Sequence, residues 1–337
     1  MTLTRRSTAA LLGGLIAAPA ILAPRGARAA DFTYKFANNQ PLHHPINVRA
    51  KEAAERIKAE TDGRFVLEIF PSSSLGSDTA LLGQIRSGGV EFFTLAGAIL
   101  ATLVPVATIE NIPFAFPDYP TVWKAMDGAL GRHVRDEIAK INVLALDKVW
   151  DNGFMQMTSN VKPLKVADDM KGLKVRTGPS PLQVSMCQAL GASPTSLNFS
   201  ELYTALQTGV VDAQMNALVI VEANKLNEVQ KYCSITNHMW SGFWMLANRR
   251  AWERLPAEMR DIVAKHLNAA AVAERADVEA GNAPLRETLT RAGMAFNEAD
   301  SASFRAALGK AGFYADWKKK LGEKPWGLLE EAVGALG

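Results

Sequence analysis

Arg176 is the residue whose type and setting most suggest chemistry. It lies in the run Leu173-Lys-Val-Arg-Thr177. The period of two in a strand places Lys174 and Arg176 on one face and Leu173, Val175 and Thr177 on the other. Ser180 and Pro181 follow directly, an N-cap and first-turn pair for a helix running to about 190. An arginine at the C-terminal end of a strand, just ahead of a helix, stands where an α/β protein forms its ligand cleft. Its planar fork suits a carboxylate bidentately, and the helix N-terminus adds a favourable partial charge for an anion. The competing reading is a surface arginine in an ion pair that stabilises its own lobe. Pattern alone leaves the two open.

The familiar catalytic signatures are missing. The chain has no Gly-x-Ser-x-Gly elbow, no His-Glu-x-x-His and no phosphate-cradling or dinucleotide glycine loop in its folded part. Of the five histidines only His43 and His44 are neighbours. Adjacent side chains on a loop diverge, so a metal held there needs further ligands from elsewhere. Loop or cleft packing is the plainer reading, and neither metal nor cofactor is expected. Cys187 and Cys233 are the only cysteines. They allow one pairing, and spacing does not decide between a disulfide and two buried thiols.

The elements that must position Arg176 alternate in type. Strands are expected at 32–37, 64–70 and 90–95, separated by helices at about 46–61 and 78–87. Single helices between strands predict parallel pairing in an α/β layer. A helix over 119–139 leads into Val143–Trp150, an apolar run long enough to leave one lobe and enter another. Strands at 154–158 and 172–177, helices to about 190 and over 200–207, and a strand from Val210 repeat the logic. A return strand at about 243–247 passes back. The last third is mostly helical, 256–290 and 298–321, with a short strand-like break at 295–296. Two α/β lobes with at least two crossings form a hinge, and its natural ligand site is the cleft between them.

Length and charge agree with two lobes. Residues 1–29 contain a basic pair, Arg5-Arg6, an apolar stretch from Ala9 to Ala23 and the small-residue site Ala27-Arg28-Ala29. That order reads as a secretory signal peptide, exported by the Sec route or, given the paired arginines, by Tat. Removing it takes away four arginines, so a formal net charge of +3 becomes −1. The basic balance belongs to the discarded part, and no nucleic-acid partner is expected. About 308 mature residues exceed what one core usually supports. The expected organisation is 30–150 plus about 241–275 in a first lobe, and 151–240 plus about 276–337 in a second.

Several runs, in order, carry a resemblance. Met170-Lys-Gly-Leu-Lys-Val-Arg176, Gly191-Ala-Ser-Pro-Thr195 and Ala205-Leu-Gln-Thr-Gly-Val-Val-Asp212 closely resemble solute-binding proteins of tripartite ATP-independent periplasmic (TRAP) transporters, the DctP-like family. Pro71-Ser-Ser-Ser-Leu-Gly76, Met157-Thr-Ser-Asn160 and Ala251-Trp-Glu-Arg-Leu-Pro256 match as well. The resemblance implies a two-lobed periplasmic binding protein fold, two α/β domains joined by crossing strands and a long C-terminal helix. It also implies a periplasmic receptor, not an enzyme, that closes on an organic acid and delivers it to the TRAP permease membrane subunits. By the same resemblance Arg176 binds the ligand carboxylate, Asn216 and Asn39 supply hydrogen bonds, and Phe199 falls where an aromatic packs on the ligand, with plain core packing the alternative for it.

Departures from the family pattern narrow the expected ligand. Val-Asp-Gly-Gln-Glu-Asn-Pro reads here Val211-Asp-Ala-Gln-Met-Asn-Ala217. Met155 stands where sugar-acid binders of the family place a second arginine, and Gly97 where they place an acid. With three polar positions apolar or empty, hydroxyls on a ligand would lose partners at about 1–3 kcal/mol each. One carboxylate on an apolar, aromatic or branched body is expected, such as a 2-hydroxy or 2-oxo acid. Phe154 and Trp240 either join Met155 in an apolar cleft wall or form hinge core. The rival classes are a receptor for an ATP-driven importer or a sensor kinase, and a secreted enzyme using the same cleft.

Overall fold

Phe32–Ala37 alternates as a half-buried strand should, with Tyr34 and Phe36 inside and Thr33 and Lys35 outside. The computed structural model describes residues 30–336, so the expected signal segment lies outside the described residues. The strands are β1 (Phe32–Ala37), β2 (Phe65–Phe70), β3 (Phe92–Ala96), β4 (Val143–Ala145), β5 (Trp150–Phe154) and β6 (Gln156–Ser159). They continue as β7 (Lys174–Thr177), β8 (Ser193–Ser196), β9 (Ala213–Asn216), β10 (Tyr232–Ile235), β11 (Trp240–Asn248) and β12 (Ala295–Glu298).

These strands build two sheets. One runs β2-β1-β3-β11-β4, with β5 also on β11; the other runs β12-β10-β6-β9-β7-β8. Each mixes parallel and antiparallel pairs. β1 lies parallel to β2 and β3, and β7 parallel to β8 and β9, as the helical connections require. β11 runs antiparallel to β3, β4 and β5, and β6 antiparallel to β9 and β10.

The chain crosses between sheets at Met155, from β5 to β6, and again over 236–239, from β10 to β11. The crossings are tied together: Met155 N donates to the Met239 carbonyl at 2.8 Å. Gln156 Oε1 accepts from Thr236 N and Asn237 N at 2.9 and 3.0 Å. The long helix Ala257–Arg291 lies along the helix Pro45–Glu60 and along β5. Glu274 on it accepts from Asp151 N at 2.8 Å, which fastens the helix to the first crossing.

Three expectations need correcting. Val143–Trp150 is not one strand but two short ones, both laid on β11. Between them the backbone turns, with Lys148 N donating to Asn268 Oδ1 at 3.0 Å. The helix over 119–139 breaks after Met126, where a side chain at Gly128 would come within 2.4 Å of the Lys124 carbonyl. The segment 276–337 does not stay with one lobe. β12 pairs with β10 in the second sheet, yet the final helix Glu323–Val333 packs on Tyr119–Met126 and Ala129–Ile138 beside the first. Its Trp326 and Leu329 are fully buried there, an apolar stripe that outweighs sequence proximity to β12.

Candidate functional site

The ends of five strands and one helix N-terminus meet in the cleft. β7 and β9 run parallel as neighbours, so their C-terminal ends carry Arg176 and Asn216 to the same edge of the second sheet. β6 is antiparallel to β9 with Gln156 opposite Asn216, which brings Met155, just before β6, to that edge too. From the first lobe come Asn39 and Gln40 after β1, Ala96 and Ile99 at and beyond the end of β3, and Asp78 at the start of the helix Asp78–Ser87. Asn152 and Ser241 from the crossing strands close the floor, where Asn152 Nδ2 donates to Ser241 Oγ at 3.2 Å.

Arg176 is buried, with 5% of its surface exposed. Its Nε and Nη2 donate to the Leu197 carbonyl at 3.1 and 2.7 Å, and the guanidinium carbon lies 5.9 Å from the Phe199 ring centroid. That contact occupies the side of the fork. The outer edge, Nη1 with the second Nη2 hydrogen, has no acceptor among the described residues, and it is the edge that a carboxylate can bond bidentately. Burial pushes the guanidinium down to about 10, with Asp78 and Glu201 pulling the other way, so it remains charged at neutral pH.

Asp78 is the pocket acid that sequence reasoning missed. It was readable only as part of a helix start, with Ser77 as the cap that accepts from Ala80 N at 3.4 Å. In the structure it is 1% exposed, and both oxygens accept from Asn39 Nδ2, at 3.1 and 2.9 Å. Burial raises its carboxyl to about 6, against the lowering effects of the Asn39 bond and the Arg176 charge. Gln40, Asn152, Gln183 and Ser241 also line the cavity without having been singled out. Nothing in a single sequence marks them, because folding alone brings their scattered segments together.

The residues singled out from sequence divide sharply. Arg176, Asn216, Phe199, Asn39 and Met155 all line one cavity, together with Met215. Asn39 and Asn216 already have partners. Asn216 Nδ2 donates to Gln214 Oε1 at 2.5 Å, and Asn39 holds Asp78. Phe154 is not among the lining residues: its ring packs edge-on to Tyr119 at 5.1 Å. Trp240 is hinge core, fully buried against Trp123 and Phe116, with Nε1 donating to Asp151 Oδ1 at 2.8 Å.

Gly97 is not a vacancy in the pocket. A Cβ there would sit 2.5 Å from Glu110 Oε1 and 2.6 Å from the Ala107 carbonyl. The position is closed by Glu110, a buried acid bonded by Gly97 N, Gly242 N and Trp244 Nε1. His44 caps the helix Pro45–Glu60, its Nδ1 accepting from Ile46 N at 3.2 Å. Cys187 and Cys233 are free, buried thiols in separate core clusters, both pushed up to about 12 by burial.

Hydrogen bonds span the mouth of the cleft. Asn224 Nδ2 donates to Gln40 Oε1 at 3.0 Å, and Thr79 Oγ1 donates to Asn198 Oδ1 at 3.2 Å. They link the two lobes beside the cavity. The arrangement is a closed cavity around a buried cation, lined by Ile99, Met155, Phe199, Met215 and Phe243 together with amides and Asp78.

Comparison with known proteins follows the same line. The family model "Bacterial extracellular solute-binding protein, family 7" matches residues 36–316. The C4-dicarboxylate-binding periplasmic protein DctP of Rhodobacter capsulatus is 32% identical over 303 residues, 90% of this chain and 88% of its own. A TRAP periplasmic solute-binding protein from Polaromonas, with bound D-erythronate, superposes with a TM-score of 0.85 at 30% identity, covering 90% of this chain and 99% of that one. Another from Bordetella, with density assigned to pantoate, gives a TM-score of 0.85 at 27% identity, covering 91% and 100%. The chain therefore belongs to family 7 of the bacterial extracellular solute-binding proteins, the receptors of TRAP transporters, and that family is one of binding proteins rather than enzymes.

Proposed function

We propose that the protein captures a small organic monocarboxylate with an apolar body in the periplasm and delivers it to the membrane subunits of a TRAP permease. The observation that carries this reading is Arg176, a buried cation whose outer edge meets no acceptor among the described residues, in a cavity also lined by Met155, Met215 and Phe199. Arg176 holds the carboxylate, and Asn216 completes the polar end. A branched or aromatic body packs on the apolar wall, where methionine adapts to irregular shapes. Ligand contacts made to both lobes favour the closed state over the open one.

The solved relatives support an acid ligand in outline: their bound molecules are described as D-erythronate, pantoate and, in a receptor from Sulfurospirillum deleyianum, succinate. The single arginine in the lining favours one carboxylate over two. Isothermal titration with monocarboxylates, dicarboxylates and sugar acids tests the reading. Tightest binding by a monocarboxylate of branched or aromatic body, recovered unchanged, is the expected result. Preference for succinate or a sugar acid, or turnover of the ligand, would overturn it.

A further inference from the structure

We propose that the ligand carries a hydrogen-bond donor, a hydroxyl or an ammonium, near its carboxylate, and that Asp78 is the residue that reads it. The inference rests on the organic-acid reading above and narrows it.

Among the described residues, Arg176 and Asp78 are the only ionisable ones lining the cavity. The acid is held in a fixed sense by a chain of amides. Asn224 Nδ2 donates to Gln40 Oε1 at 3.0 Å, Gln40 Nε2 to Asn39 Oδ1 at 2.7 Å, and Asn39 Nδ2 to both oxygens of Asp78. Each link passes a donor toward the next acceptor, so the chain ends with N–H on a carboxylate. An ionised carboxylate accepts at about four lone-pair positions and donates at none. Asn39 occupies only part of that capacity.

A ligand carboxylate on Arg176 brings a second negative charge into the same buried cavity, where like charges repel strongly. A hydroxyl or ammonium beside it turns that conflict into a bond with Asp78. A keto oxygen or a bare methylene leaves Asp78 facing an acceptor or nothing. Asn152 adds a second acceptor: it is 4% exposed, lines the cavity, and its Oδ1 has no partner among the described residues.

The test is isothermal titration of the full mature chain with two matched series. One is phenylacetate, mandelate, phenylglycine and benzoylformate; the other is 3-methylbutanoate with its 2-hydroxy, 2-amino and 2-oxo forms. In a series that binds, the 2-hydroxy or 2-amino member should bind at least about tenfold tighter than the 2-oxo and unsubstituted members, the scale of a bond to a charged group. Which of the two wins identifies the donor. Asp78→Asn removes the charge that opposes the ligand carboxylate, so it should bind the unsubstituted acid more tightly than wild type does and cut the preference to about threefold or less. Asn224→Ala, at the far end of the amide chain, should weaken the preference by a smaller factor. Equal binding of 2-oxo or unsubstituted acids by the wild type, or a preference that survives Asp78→Asn, overturns the inference while leaving the receptor reading intact. Failure of every acid in both series, with tight binding of a dicarboxylate or sugar acid instead, overturns the receptor's proposed ligand class itself.

Discussion

Replacing Arg176 by alanine tests the site most directly, because the structure sets opposing effects on the empty and filled protein. In the empty site, burial pushes the guanidinium down from 12.5 to about 10, so keeping it charged at pH 7 costs about 3 kcal/mol at about 1.4 kcal/mol per tenfold. Against this stand two hydrogen bonds to the Leu197 carbonyl, each about 1 kcal/mol net. The Phe199 ring beside it adds about 0.5–1 kcal/mol. The contributions nearly cancel. Arg176→Ala should therefore change the stability of the empty protein by no more than about 1 kcal/mol, a melting shift of under about 4 °C. In the complex, a ligand carboxylate supplies the missing partner, and truncating one half of such a buried pair costs about 2–5 kcal/mol. Binding should weaken by at least about 30-fold. Arg176→Lys, which keeps the charge but loses the planar fork, should fall between. Scanning calorimetry of the empty variants and titration with the preferred acid measure both halves. Affinity within tenfold of wild type would refute the carboxylate assignment. An empty-protein melting drop above about 10 °C would show that Arg176 serves folding first.

Two further predictions concern the ground beneath the site. Gly97→Ala drives a Cβ to 2.5 Å from Glu110 Oε1, and overpacking of this kind should cost about 1–3 kcal/mol in urea unfolding; an unchanged midpoint would mean Glu110 moves freely. Glu110 is raised from its ordinary range to about 8 by burial, so the folded chain keeps a proton that the unfolded chain releases above about pH 4.5. The stability this contributes is present below that pH and is lost as pH rises through about 8. Glu110→Gln should therefore lose stability less steeply than wild type between pH 5 and 8, and parallel slopes in the two proteins would contradict the assignment. Asp151 and Glu274 are raised in the same direction but remain in both proteins, so the comparison isolates Glu110.

Much of the architecture was legible because local rules and packing agree. β1, the Asp78–Ser87 helix, β12 and the Ala257–Arg291 helix lie within a residue or two of their sequence expectations. Two helices also carry end signals: Ser77 and Gly88 for the Asp78–Ser87 helix, Ser180 for the helix after Arg176. Failures came where a tertiary contact overrode the run. Val143–Trp150 is apolar apart from Asp147 and Lys148, and that polar pair falls at the turn that lets both halves rest on β11. The aromatic cluster at the return crossing was ambiguous, since an apolar ring fills a hinge or a cleft wall equally well. Trp240 went to the hinge because Asp151 binds its indole N–H.

By itself the sequence determined much of the element order, the place of Arg176 at a strand end before a capped helix, and the apolar residues Met155 and Met215. These follow from periodicity, capping and comparison of runs, all local properties. Only the tertiary structure decided what surrounds that arginine. Gly97 proved to be closed by Glu110, 13 residues further along the chain. Asp78 entered the pocket because a helix N-terminus from the first lobe meets a strand end from the second. An acid's partners across a cleft depend on how two separately folded sheets are set against each other. That setting comes from the crossing strands and the long helix, and no window of neighbouring residues contains it.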